Sequence, residues 1–178
     1  MEPVENKLTT TCCIVGGGPA GMMLGFLLAR GGVNVIVLEK HADFNRDFRG
    51  DTIHPSTFLI MEELGLRQEF LKVPHQEIEK FSAVFNDKLM HIADFTHLAV
   101  SKSALGLMPQ WDFLKFVQEH AAKYECFKLM MNARVTDLVW ADETVTGVNV
   151  QTDNGPLQVN AKLVVGADGR HSVIREKA

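Results

Sequence analysis

Six consecutive residues, Gly16, Gly17, Gly18, Pro19, Ala20 and Gly21, form a G-x-G-x-x-G pattern whose natural chemistry is phosphate binding. Glycines at those positions let a backbone turn tightly and approach a pyrophosphate with no side chain in between. A helix beginning at Pro19 would aim its N–H groups and its positive dipole end at the same anion. Glu39 stands 18 residues beyond Gly21, a spacing that suits a carboxylate accepting the ribose hydroxyls of an adenosine. The plainer reading is a glycine-rich packing turn with Glu39 merely exposed. The order strand, turn, helix, strand, acid favours dinucleotide binding.

A second constellation lies near the end, from Gly166-Ala167-Asp168-Gly169 through Arg170, His171 and Ser172 to Arg175. An Asp at a strand end before a helix can present its carboxylate to a ligand hydroxyl, and Ser172 can cap the helix. Taken alone, this is as readily an ordinary Asp-Gly turn. Other chemistry finds little support. The seven histidines lack His-Glu-x-x-His spacing, which argues against a metal site. Cys12 and Cys13 are neighbours in one strand and point to opposite faces, as buried packing groups do. Cys126 completes an odd count without Cys-x-x-Cys spacing, so neither a disulfide framework nor a zinc site is expected. There is no Gly-x-Ser-x-Gly elbow, and most of the eight methionines sit in apolar runs.

The elements that position these residues follow from periodicity. Residues 9–15 read as a short buried strand and residues 33–38 as a second, apolar on both faces as parallel strands are. Residues 19–30 between them read as a helix apolar almost all round, hence buried, and stopped by Gly31-Gly32. Residues 41–52 read as a loop, 55–64 as a helix, and 78–85 and 88–92 as strands around Asn86-Asp87. Residues 97–107 read as a mixed linker. Residues 109–124 form an amphipathic helix with Trp111, Leu114, Phe116, Val117 and Ala121 inward. A short strand over 127–131 follows, then three runs over 134–140, 144–151 and 157–165 with turn-like separators, a β-meander where a plain βαβ repeat would place a helix. A short helix over 171–177 ends the chain.

The chain has 178 residues, 46% hydrophobic and 22% charged, with a net charge of −4. These are values of an ordinary folded domain with a real core, and nucleic-acid partners are not expected without a basic excess. Residues 8–29 carry no charge over 22 positions, yet hold five glycines and Pro19. Those breakers fall where a membrane-spanning helix needs its internal hydrogen bonds, so no span is expected. Glu2 and Glu5 against Lys7 do not make a signal peptide, and the cysteine usage fits a reducing cytoplasm.

Together these residues resemble the FAD-dependent aromatic hydroxylases of the p-hydroxybenzoate hydroxylase type. The resemblance rests on the glycine motif, Glu39, the meander, and Asp168, Gly169, Ser172 and Arg175, and it covers the chain from about Thr9 to Ala178. It implies an α/β fold, glutathione-reductase-like, with an FAD-binding parallel sheet and a β-meander crossover. Residues 1–178 would be the N-terminal portion of the FAD-binding domain, with 75–107 a partial excursion of the substrate domain. Family members are longer and carry a third motif, Gly-Asp before a helix, so the resemblance implies an N-terminal fragment. The implied cofactor-binding residues are Gly16, Gly18, Pro19, Ala20 and Gly21 at the pyrophosphate, Glu39 with Lys40 and Val135, Arg49 and Gln110 along the flavin-side half, and Asp168 with Gly169 near the pyrophosphate or ribityl chain. The Arg49-Gly50-Asp51 and His54-Pro55-Ser56 stretch carries the Arg49 assignment. The implied activity is monooxygenation, with NAD(P)H as electron donor and a flavin hydroperoxide hydroxylating an electron-rich small molecule. No side-chain nucleophile is expected. Two other readings stand beside it: a reductase or halogenase of the same superfamily, and a truncated cofactor- or partner-binding module. For the chain alone, inactivity and self-association through open strand edges are expected.

Overall fold

The computed structural model describes residues 6–45, 51–98 and 104–178. In chain order the elements are β1 (Asn6–Val15), α1 (Pro19–Arg30), β2 (Val35–Leu38), β3 (Thr52–Ile53), α2 (Pro55–Glu63), α3 (Arg67–Phe70), β4 (Gln76–Ile78), β5 (Lys80–Phe85), β6 (Lys88–Asp94), β7 (Leu105–Leu107), α4 (Gln110–Ala121), β8 (Phe127–Met130), β9 (Arg134–Ala141), β10 (Thr144–Thr152), β11 (Gly155–Gly166) and α5 (Val173–Lys177). The chain divides into two compact units, one of residues 1–45 and 117–178 and one of residues 46–116.

The first unit is built on a six-stranded sheet in the order β8-β2-β1-β11-β10-β9. Strands β8, β2, β1 and β11 run parallel, and β10 pairs antiparallel with both β11 and β9. All four residues of β2 are buried, as a parallel strand covered on both faces requires. One face lies under α1: a Cβ added at Gly25 would sit 2.7 Å from a methyl of Val37 and 3.1 Å from the Phe127 ring. The alternate residues Cys13, Val15, Ile36 and Leu38 point the other way. They share one core with Val135, Leu138, Val148, Val150, Val159 and Ala161 of the meander. The meander is therefore both a continuation of the sheet and the cover of its second face. Strand β11 makes this geometry, pairing with β1 from Leu157 to Gly166 and with β10 from Gly155 to Asn160.

The second unit packs around Phe58, Phe70, Phe113 and Phe116, with ring centroids 5.0–6.1 Å apart. It carries a small antiparallel sheet, β3-β7-β4, and a two-stranded hairpin, β5-β6. The hairpin turns at Asn86 and Asp87, with φ of 48° and 61°, the left-handed pair a tight hairpin needs.

Several sequence expectations are corrected. Helix α1 is not buried all round: Gly21, Met22, Gly25, Phe26 and Ala29 are buried, while Leu27 stays exposed. Its uniform apolarity marks two faces, only one of which the sheet covers. Trp111 is half-buried rather than inward, and Phe113 takes the core position. The expected loop and linker contain β3 and β7, strands too short to show a period of two. Helix α3 was not expected at all.

Candidate functional site

The glycine segment sits where β1 ends and α1 begins. Gly16 N–H donates to the Leu38 carbonyl at 2.8 Å, which ties the loop to the end of β2. Gly16 has φ of +110°, a conformation side chains resist. A Cβ there would also collide with the Ala167 carbonyl, and one at Gly21 would collide with the Gly16 carbonyl. These two glycines are demanded by the fold. Gly18 differs, because a Cβ added to it meets nothing within 4 Å. Gly18 is the N-cap of α1, Pro19 opens the helix, and no side chain caps it. The first turn of a helix has N–H donors without internal partners. Open space beside Gly18 and the small residues Gly18, Pro19 and Ala20 at this end make a cradle that suits an anion.

Glu39 closes one side of the cradle and is 3% exposed. Its Oε2 accepts from Gly17 N–H at 2.8 Å and its Oε1 from His41 N–H at 3.0 Å. The expectation of an exposed acid or a simple ligand acceptor is thus refined: the carboxylate is held by two backbone donors and fixes the glycine loop. Lys40 follows at the strand end and is exposed, whereas Val135 is 6% exposed with its side chain in the meander core.

The second motif forms the opposite wall. Ala167 N–H donates to the Val15 carbonyl at 2.7 Å, and the Ala167 carbonyl abuts Gly16. The Asp168 carboxylate faces α5 rather than open space. Its Oδ1 accepts from the Ser172 hydroxyl at 2.6 Å, and its Oδ2 accepts from Val173 N–H at 2.7 Å and Ile174 N–H at 3.4 Å. Ser172 Oγ in turn accepts from Arg175 N–H at 3.0 Å, the cap expected of it. Arg175 is anchored through Nη2 on the Arg170 carbonyl at 2.6 Å. Asp168, Ser172 and Arg175 therefore form one brace that holds the end of β11, and Gly169 at φ +85° makes the bend.

Of the residues singled out from sequence, Gly16, Gly18, Pro19, Ala20, Gly21, Glu39, Asp168 and Gly169 fall at the ends of β1, β2 and β11, whose last residues Val15, Leu38 and Gly166 are in register. Gln110 opens α4 in the second unit. Arg49 and Gly50 lie outside the described residues. A groove of about 310 Å³ lies beyond the Met130–Asn132 link, floored by Leu8, Met130 and Leu157; no residue of the glycine motif lines it. Cys12 and Cys13 are fully buried, and burial, with Cys12 beside it, pushes the Cys13 thiol up to about 12. Both are packing groups. Among the described residues no cluster of His, Cys, Asp and Glu could hold a metal, and no helix is long and apolar enough to cross a membrane.

A parallel sheet with a glycine-lined helix N-terminus at its carboxyl end and an acid at the next strand end defines a nucleotide-binding α/β protein. The FAD binding domain family matches residues 9–178, and the chain belongs to it. It is 30% identical over 177 residues to 6-methylpretetramide 4-monooxygenase of Streptomyces rimosus, covering 99% of this chain and 42% of that protein. It is 31% identical over 164 residues to rifampicin monooxygenase of Streptomyces venezuelae, covering 92% of this chain and 32% of that one. The crystal structure of p-nitrophenol 4-monooxygenase from Pseudomonas putida superposes with a TM-score of 0.85 at 24% identity, over 97% of this chain and 44% of that one. That likeness shows the fold. The chain spans less than half the length of these relatives.

Proposed function

We propose that this chain binds FAD and serves as the FAD-binding part of a monooxygenase. The observation that carries the reading is the N-terminus of α1, which no side chain caps, with open space beside its N-cap Gly18. The cradle would be filled by any side chain larger than hydrogen at Gly18, which fits a pyrophosphate placed against backbone N–H groups. Gly16, Gly18, Pro19, Ala20 and Gly21 form that cradle. Glu39 is assigned to the ribose hydroxyls, with Lys40 and Val135 at the adenosine end. Arg49 and Gln110 belong to the flavin-side half. Asp168 and Gly169 act through the brace that sets Ala167 against Gly16.

FAD, reduced by NAD(P)H, would supply the oxygen-activating chemistry. The protein's residues bind, orient and exclude water; none of them is assigned as a nucleophile. The substrate class is an electron-rich aromatic or related small molecule. The named activities of the two Streptomyces relatives support this reading. Residues 75–107, which include the β5-β6 hairpin, are the beginning of a substrate-side structure. The setting is the cytoplasm.

Titrating the chain with FAD, followed by quenching of flavin fluorescence, tests the binding claim. Calorimetry with ADP-ribose isolates the adenosine half. Saturable binding of both supports the reading, and flat titrations of both overturn it.

A further inference from the structure

The link between β8 and β9 turns at Asn132, whose φ is +53°, in the left-handed region that Asn tolerates better than most side chains. Around this turn the link is laced to the segment that carries Glu39. Glu39 N–H donates to the Met130 carbonyl at 2.8 Å, Asn132 N–H to the His41 carbonyl at 3.0 Å, and Ala133 N–H to the Glu39 carbonyl at 2.8 Å. Glycine would meet that backbone requirement equally well. Asn132 adds a side-chain bond: its Nδ2 donates to Asp153 Oδ2 at 2.7 Å, across 21 residues, in the turn between β10 and β11. That turn is itself stiffened, because Thr152 Oγ1 donates to the Gly155 carbonyl at 2.8 Å and accepts from Asn154 N–H at 3.2 Å.

We propose that Asn132 and Asp153 form a clasp that sets the position of Glu39, making both of them positioning residues for the adenosine end of the nucleotide. The proposal rests on the reading of Glu39 as the ribose acceptor. The path is short and continuous. Asp153 holds Asn132, Asn132 N–H holds His41 while its neighbours Met130 and Ala133 hold Glu39, and Glu39 reaches Gly17 of the cradle at 2.8 Å. The acceptor is a carboxylate, so the clasp is a charge-assisted hydrogen bond, stronger than a neutral one. Its two members sit at the surface, where they can be changed without opening the core.

Asn132→Gly keeps the left-handed turn and removes only the clasp. Asp153→Ala removes it from the other side, and Asn132→Asp sets two carboxylates against each other. The double variant Asn132→Asp/Asp153→Asn rebuilds the bond with donor and acceptor exchanged. Amide exchange in the unliganded chain reads the positioning directly. Each single variant should speed exchange at Gly17, His41 and Ala133 about three- to tenfold, the worth of a net hydrogen bond, with Val148 in the meander unchanged. FAD and ADP-ribose affinities should fall by a similar factor, and the exchanged pair should restore both. A purely structural role would raise exchange across the whole sheet together. Wild-type exchange and affinity in Asn132→Gly and Asp153→Ala overturn the proposal, as does failure of the exchanged pair to restore them. If the unaltered chain binds neither ligand, the reading of Glu39 falls, and the nucleotide side of this proposal with it; the exchange data still decide whether the clasp positions Glu39.

Discussion

Glu39 does two things at once, and that changes what its removal should do. Gly17 and His41 both donate to its carboxylate, so Glu39→Ala leaves two backbone donors without an acceptor. Each such orphan costs about 1–3 kcal/mol when buried. We expect Glu39→Ala to lower the melting temperature and to weaken FAD about ten- to a hundredfold through the lost charge-assisted bond. Thermal melts and fluorescence titration measure the two separately, and unchanged FAD affinity in a folded variant rules out the ribose assignment. Asp168 is expected to act differently, because α5 takes both of its oxygens. Asp168→Ala should loosen α5 first, seen as faster exchange at Val173 and Arg175, and lower FAD occupancy only as a consequence. Asp168→Asn keeps one acceptor and should recover part of each. Neither residue's full role was legible in the sequence. The spacing placed Glu39 and Asp168 at strand ends, which is a local property. The partners of their carboxylates are backbone N–H groups, and every residue type but proline carries one.

At the scale of elements, the strand–glycine–helix–strand segment was readable because all of its determinants are neighbours in sequence. The two fold-demanded glycines and the one facing open space share a motif yet predict opposite outcomes. Gly21→Ala drives a methyl into the Gly16 carbonyl and should cost about 1–3 kcal/mol or more, as overpacking does. Gly18→Ala has room for its methyl, so its melt should match the parent while its FAD affinity falls at least tenfold, because the methyl occupies the anion's place. Equal behaviour of the two variants in melts and titrations contradicts the cradle geometry. The meander was visible as three runs, and its turns fell where Asp142 and Gly155 adopt positive φ. That it also roofs the parallel strands was not visible, since the core that Val135 shares with Cys13 and Ile36 joins positions far apart in sequence. The short strands β3, β4 and β7 have two or three residues each, too few to repeat an alternation of faces.

For the whole molecule, the β5-β6 hairpin stands out. Val84, Phe85 and Leu89 are 69%, 67% and 65% exposed, and Met90 and Ile92 are more than half exposed. Each strand pairs with the other alone among the described residues. Apolar faces beside open edges favour association. We expect the chain to self-associate with rising concentration, and Val84→Lys with Leu89→Lys to reduce this in sedimentation experiments. Supplied with FAD, NAD(P)H and a panel of phenols, the chain should give no hydroxylation coupled to NAD(P)H consumption, because that chemistry needs a pocket that excludes water. Coupled product contradicts that expectation. Strand β11 has a consequence of another kind. The Ala167 carbonyl that walls the glycine loop, and the β11 edge that pairs with β1 from Asn6 to Val15, lie far along the chain from the loop and strand they complete. On a ribosome, β1 and α1 emerge well before β11 and wait for it through the synthesis of every element between them. Contacts of such sequence separation form slowly. The nucleotide cradle is therefore completed only when β11 emerges, and β1 must be kept from other strands until then.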